Sequence, residues 1–269
     1  MTKKVSVIIP TYKPKQYLWE CLDSLQMQTL SKDLFDIVII LNGCKEPYVT
    51  QIREYINLRQ SINIYLFQTD QPGVSNARNI GIDCSHGEYL AFVDDDDIVS
   101  STYLADLLSV STPSCIGCST SYAFVNDISE RRESFMSRAF DRCKSLPYSL
   151  YSYRQFLSPP VIKLIHRDII GNTRFPVSLK KSEDSVFCFQ LTPRISEMRL
   201  AADTAVYYQR IREGSAMRTK HSNWQEFKQL VELECAYLKV WSKKPFAYNF
   251  KFLLTRMVAG VRNFLVYTR

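Results

Sequence analysis

The feature that most constrains the fold is an alternation. Four short apolar runs, at residues 5–9, 35–41, 62–67 and 89–93, are separated by segments whose apolar residues recur at helical spacing. Leu18, Cys21, Leu22 and Leu25 follow the i, i+3, i+4, i+7 pattern of one helix face; Val49, Ile52 and Ile56, then Ala77, Ile80 and Gly81, mark two more helices. Strands that are apolar at nearly every position are buried on both faces. A series of strands joined by helices closes with right-handed crossovers into a parallel sheet. The expectation is an α/β fold, a Rossmann-like sheet that takes its ligands at the carboxyl ends of its strands. At 46% hydrophobic over 269 residues, the chain can bury a core of that size.

The fourth run ends in Asp94-Asp95-Asp96-Asp97. Carboxylates this close repel, and they stay ionised cheaply only if a cation or several hydrogen bonds offset the repulsion. A hard divalent ion with oxygen ligands does this well. Helix capping is the competing reading, since Asp favours helix starts and Tyr103, Leu104, Leu107 and Leu108 follow at helical spacing. One Asp would suffice for a cap, so four favour a metal–diphosphate site. No Gly-x-Gly-x-x-Gly follows the first run and no Gly-Lys-Ser phosphate loop occurs, which argues against an ordinary dinucleotide site or an ATPase.

Three segments carry a specific likeness. Val7-Ile8-Ile9-Pro10-Thr11-Tyr12, then the stretch from Pro72-Gly73-Val74-Ser75-Asn76 through Arg78-Asn79-Ile80-Gly81, then Gly87-Glu88-Tyr89 leading into the Asp run, resemble family 2 glycosyltransferases in order and spacing. The resemblance is specific over residues 4–110 and looser to 216. It implies a GT-A type fold, mostly parallel with antiparallel additions, and sugar transfer from a nucleoside diphosphate with inversion. It further implies that Pro10, Thr11 and Tyr12 border the base, Asp94 lies near the ribose, Asp95 fills a variable slot, Asp96 holds Mg²⁺ or Mn²⁺, and Arg78 stands near the nucleotide. Many relatives carry Val-Asp-Asp-Gly-Ser after the second strand; this chain has Ile40-Leu41-Asn42-Gly43-Cys44, so Asn42 would offer donor and acceptor where an acid meets the base. A UDP-sugar is the first expectation for the donor.

The second half reads less regularly. Residues 115–125 are expected as one antiparallel strand crossing under the nucleotide site, 126–150 as a long loop, and 161–165 as another strand. Ser182-Glu183-Asp184 then opens a helix containing Val186, Phe187 and Phe189. These acids suit a helix start; by the resemblance Asp184 is the general base that takes the acceptor's proton. A strand over 205–212 follows, with Arg212 as candidate stabiliser of the leaving group, and His221 is a possible further metal ligand beside the plainer reading of an ordinary surface histidine. The division expected is a glycosyltransferase domain at 1–216, with a nucleotide half at 1–110 and an acceptor half at 111–216, and a C-terminal helical extension at 217–269.

Lys3 and Lys4 lead directly into the first strand and no run of about 20 apolar residues occurs, so the expectation is a cytoplasmic protein. Cys21, Cys84, Cys188 and Cys235 fall in helical patterns and Cys115-Ile116-Gly117-Cys118 in a strand, which reads as core rather than as disulfides or zinc. The net charge of +7 is concentrated late: from Cys235 to Arg269 there are seven Lys or Arg and no acid. There Phe246, Phe250, Leu253, Leu254, Met257, Val261, Phe264 and Leu265 fall on one helical face, Lys251 and Arg262 flank it, and Arg256 lies opposite. Such a helix either lies on the inner face of an anionic membrane or packs on protein. The leading function is transfer of a sugar to a glycan or lipid-linked acceptor in bacterial surface polysaccharide synthesis, with no role for nucleic acid. The alternatives are a sugar nucleotidyltransferase, whose glycine-rich signature is missing after the first strand, and a non-catalytic nucleotide-sugar binding module, which would not need Asp184.

Overall fold

The computed structural model describes residues 4–59, 62–212 and 222–267. His221 and Arg269 therefore lie outside the described residues. The alternation appears as expected: β1 (Val5–Thr11), α1 (Gln16–Gln26), β2 (Phe35–Asn42), α2 (Tyr48–Asn57), β3 (Asn63–Thr69), α3 (Val74–Cys84) and β4 (Tyr89–Phe92). After them come β5 (Ile98–Val99), α4 (Tyr103–Val110), β6 (Cys115–Cys118), β7 (Thr120–Phe124), β8 (Arg132–Glu133), α5 (Phe135–Cys143), β9 (Lys163–His166), α6 (Arg167–Ile170), α7 (Glu183–Leu191), β10 (Glu197–Leu200) and β11 (Val206–Arg210). Two long helices, α8 (Asn223–Lys243) and α9 (Phe250–Tyr267), complete the chain.

Seven strands form the main sheet in the order β10-β6-β9-β4-β1-β2-β3. The strands β4, β1, β2 and β3 are mutually parallel, and β9 runs antiparallel between β4 and β6. Every residue of β1 and β2 is buried, which is why those runs are apolar at nearly every position, whereas β3 alternates in exposure as an edge strand does. Helix α3 approaches β1 so closely that a Cβ at Gly81 would stand 2.3 Å from Ile8 Cγ2. That contact fixes the helix that carries Arg78 against the sheet.

Two expectations need correction. Residues 115–125 do not form one strand: Ser119 lies between β6, in the main sheet, and β7, in a second sheet ordered β5-β11-β7-β8. Residues 126–150 are not one long loop either. They contain β8 and α5, which Ser134 caps by accepting from the backbone N–H groups of Met136 and Ser137 at 2.9 and 3.0 Å. All eight cysteines are free, and β6 is buried at both Cys115 and Cys118; Cys235 is exposed rather than core.

A stack of aromatic rings ties α7 to β4. Phe175 and Phe187 lie face to face at 3.8 Å between centroids, and Phe92, the last residue of β4, meets Phe175 edge-on at 5.4 Å. Asn79 of α3 clamps Phe175, donating to its carbonyl at 2.9 Å and accepting from its N–H at 2.7 Å. Truncating a ring so buried costs roughly 3–5 kcal/mol. Here it would also release the helix that bears Asp184.

Candidate active site at the carboxyl edge of the sheet

The four carboxylates after β4 have four different partners. Asp94 Oδ1 accepts from Arg78 Nη2 at 2.9 Å, and Asp95 Oδ2 accepts from Thr11 Oγ1 at 2.5 Å. Asp96 Oδ2 stands 2.6 Å from Arg212 Nε. Asp97 is buried and accepts from the Tyr207 hydroxyl at 2.6 Å and the Arg210 backbone N–H at 2.8 Å. Helix α4 starts only at Tyr103, with Thr102 before it, so the run caps no helix. Three acids are left facing the site, and the fourth fastens them to β11.

That fastening was not foreseen in the sequence. The Tyr207 hydroxyl also accepts from the Asp94 N–H at 3.1 Å. Arg210 donates from Nε to the Asp96 carbonyl at 3.0 Å, pairs with Glu20, and lies over the rings of Tyr17 and Phe124 at 4.6 and 4.5 Å. Tyr207 is buried in β11 and Arg210 ends the strand buried against Glu20, while Arg212, beyond the strand, is half exposed beside Asp96, so this segment offers one arginine to the scaffold and one to the site. The Tyr-Tyr-Gln-Arg run was the only signal.

The carboxylates are short of positive charge. Burial pushes the Asp95 carboxyl up to about 6 against the pull of the Thr11 hydrogen bond. Burial and then the Asp94 charge raise Asp96, with Arg212 opposing. Burial likewise raises Asp97 well above the usual carboxylate range. Among the described residues no three His, Cys, Asp or Glu side chains converge to hold a metal by themselves. A Mg²⁺-type ion does not require this, being held by one or two carboxylates together with substrate phosphates and water. Asp96, a hard oxygen donor whose charge Arg212 offsets only in part, fits that donor set.

Asp184 comes to the same place from the other side. It lies in the first turn of α7, where Ser182, at φ 63°, makes no side-chain cap, and its Oδ1 accepts from Arg78 Nη1 at 2.6 Å. Glu183 Oε1 is 3.7 Å from the same nitrogen. Arg78 is 4% exposed and therefore does not reach out to a nucleotide; its guanidinium joins Asp94 to Asp184. Three acids thus share one buried cation. Burial outweighs that cation and, with the Glu183 and Asp94 charges, raises the Asp184 carboxyl to about 7. A carboxylate with its pKa near neutrality is a stronger proton acceptor than an ordinary Asp and is still ionised at working pH.

The loops after β1 and β2 form the third wall. Pro10 and Thr11 end β1, paired with Ile40 and Leu41, and Tyr12 beyond them is 51% exposed. Gly43 has φ +83°, and a Cβ there would stand 2.9 Å from the Tyr12 ring and 3.0 Å from Pro72, so glycine allows these three to close together. Asn42 is buried, donating from Nδ2 to the Thr11 carbonyl at 2.8 Å and accepting at Oδ1 from the Gly73 N–H at 3.0 Å. Its donor and acceptor clip three loops together, in place of the expected contact with a base.

The acidic strand end and the raised carboxylate opposite it stand at the carboxyl edge of a GT-A type sheet. Residues 6–171 match Glycosyl transferase family 2, and the chain belongs to that family. It is 24% identical over 246 residues to poly(ribitol-phosphate) beta-N-acetylglucosaminyltransferase TarS of Staphylococcus aureus, covering 86% of this chain and 39% of that relative. The chain thus spans well under half of that protein's length. The crystal structure of S. aureus TarS 1-349 superposes with a TM-score of 0.67 at 23% identity, over 87% of this chain and 65% of that one; the same fragment with UDP-GlcNAc gives 0.64 at 22%, over 87% and 66%. The mannosyltransferase PcManGT of Pyrobaculum calidifontis, in complex with GDP-Man and Mn²⁺, gives 0.62 at 12%, over 99% and 74%.

Proposed function

We propose that the chain moves a sugar from a nucleoside diphosphate sugar to a hydroxyl of a glycan or lipid-linked acceptor, with inversion, in bacterial surface polysaccharide synthesis. The observation that carries this reading is the Arg78 bridge, which holds Asp94 of the donor edge and Asp184 of the acceptor side on one guanidinium. A UDP-sugar is the donor best supported, because the TarS fragment that shares this fold was solved with UDP-GlcNAc.

Asp184 takes the proton of the attacking hydroxyl, work to which a positioned carboxylate contributes about 10²–10⁴-fold in rate. Attack guided from the side opposite the diphosphate inverts the anomeric carbon and requires no carboxylate nucleophile. Asp96 would hold Mg²⁺ or Mn²⁺, which when bound offsets charge on the departing diphosphate. Arg212, already beside Asp96, adds a second positive charge there. Thr11 and the clip made by Asn42 keep the base wall and Asp95 in register. A lipid-linked acceptor further places the enzyme at the inner face of a membrane.

The test is thermal stabilisation by a panel of nucleotide sugars with Mn²⁺. At least one UDP-sugar is expected to raise the melting temperature in wild type, and Asp96→Asn to abolish the Mn²⁺-dependent part. Stabilisation by none of them, or full Mn²⁺-dependent stabilisation of Asp96→Asn, would overturn the donor-site assignment.

A further inference from the structure

The C-terminal helices do not present the single face that spacing alone indicates. Phe252 and Leu253 of α9 are fully buried, and Arg256, expected opposite the apolar face, turns to the body, donating to the Arg154 carbonyl at 3.3 Å and to Ser158 Oγ at 3.1 Å. On α8, Leu233 and Tyr237 face the body, where Tyr237 meets Ser185 at 2.6 Å beside Asp184, and Glu226 pairs with Lys181 at 2.9 Å. The two helices run antiparallel along a seam marked by Phe227 against Phe264, Glu234 against Gly260, and Trp241 against Phe250.

What remains apolar on both helices points away from the body. On α8, Trp224, Phe227, Val231 and Leu238 are exposed, Trp224 by 72%. On α9, Phe250, Leu254, Val258, Val261 and Leu265 are exposed, Val258 by 66%. At 100° per residue the α8 stripe lies just past the seam on the side opposite Tyr237, and the α9 stripe just past the seam on the side opposite Phe252. In an antiparallel pair these positions fall on one side, so the stripes make one continuous outer surface. Exposed Lys228 and Lys239 border it along α8, and exposed Lys251 and Arg262 along α9. Lys243 and Lys244 stand at the turn, next to a fully exposed Phe246. The one acid at the seam, Glu234, has both carboxylate oxygens buried.

We propose that this composite α8–α9 surface docks the enzyme on a bilayer containing anionic lipid, with the aromatic and aliphatic stripe entering the headgroup boundary and the two basic borders meeting lipid phosphates. An apolar strip edged mainly by Lys and Arg matches such an interface; the half-exposed acid on that border, Glu232, pairs with Lys228 at 4.0 Å. A second copy fits worse, since it would bring Lys228, Lys239, Lys251 and Arg262 together with their counterparts, and Glu232 of α8 already pairs with Lys228. No helix among the described residues is long and apolar enough to cross a membrane, so this is attachment in the plane of the surface. The contacts of Glu226 and Tyr237 tie α8 to Lys181 and Ser185, on either side of Asp184 in sequence. The inference rests on the acceptor reading above only for its purpose; the surface itself stands on exposure and charge.

The test is co-sedimentation of the full chain with vesicles of phosphatidylglycerol and phosphatidylcholine, and of phosphatidylcholine alone, at low and high salt. Binding is expected on the anionic vesicles, several-fold weaker at high salt. The variants Trp224→Asp with Leu238→Asp, and Leu254→Asp with Val258→Asp, change exposed residues and are expected to keep the melting temperature while each pair lowers binding about tenfold or more. No vesicle binding, or binding that neither pair weakens, overturns the proposal. So does a concentration-dependent dimer in sedimentation velocity that both pairs abolish, which would assign the face to a second copy. Transfer to a soluble acceptor, measured on the same samples, is expected to be unchanged by both pairs; its absence in wild type would count against the sugar-transfer reading and leave the vesicle result standing.

Discussion

The sheet edge and the C-terminal helix pair invert ordinary segregation in opposite ways. At the edge, charged groups are buried but nearly all are answered: Arg78 by Asp94 and Asp184, Asp97 by Tyr207 and the Arg210 N–H. On the helix pair, apolar groups are exposed and unanswered, and the buried carboxylate Glu234 finds no hydrogen-bond partner among the described residues. Burying a charge is tolerated when hydrogen bonds and opposite charge accompany it. The edge is therefore a preorganised polar site. The helix pair is complete only against something outside the chain.

The largest effect should come from breaking the bridge. Arg78→Met leaves Asp94 and Asp184 facing each other without a cation, and losing one member of a buried pair costs on the order of 3–5 kcal/mol. Chemical denaturation is expected to show that loss and transfer to collapse with it. Arg78→Lys should recover part of the stability and less of the rate, because an ammonium cannot hold two carboxylates in the fixed geometry of a guanidinium fork.

A pH profile sharpens the same contrast without mutation. The base must be ionised to accept a proton, and burial raises Asp184 to about 7, so transfer should climb with pH through that value. Below it, the rate should fall about tenfold per pH unit. A rate already flat at pH 5 would mean that the working base is an ordinary exposed carboxylate.

Glu234 gives the smallest effect, with the opposite consequence for stability. Burial raises its carboxyl from 4.5 to about 7. The raised value means that the folded state holds the proton more tightly than the unfolded state. The associated stability is complete below the unfolded pKa and drains away as pH rises through 7. Glu234→Gln should therefore melt a few degrees higher than wild type at pH 8, with the gap narrowing towards pH 5.

How much of this was legible follows from where each signal lies. The runs at β1, β2 and β4 read clearly because a strand buried on both faces is apolar at nearly every position, with Ser6 and Asp36 alone interrupting the runs at 5–9 and 35–41. The Asp run, Arg78 and Asp184 were legible as residues, but their partnership joins positions 16 and 106 apart in sequence, and nothing local encodes it. The helix α5 was readable in hindsight, since Met136, Ala139, Phe140 and Cys143 keep helical spacing. Its charged neighbours and a Ser where a capping box usually has Glu or Gln hid it. The tail failed for another reason. One helix period cannot tell an apolar side packed on the body from one left outside, and only tertiary contact separates Leu253 from Leu254.

The central claim is that Asp184 works on the acceptor's proton while the other carboxylates serve the donor. Its most direct test is one comparison: donor affinity and turnover of Asp184→Asn against wild type, with Mn²⁺ and the UDP-sugar that stabilises the protein. Affinity within a fewfold of wild type with turnover down about 10²-fold or more is the predicted result. Turnover within a fewfold of wild type would contradict it and move the base elsewhere.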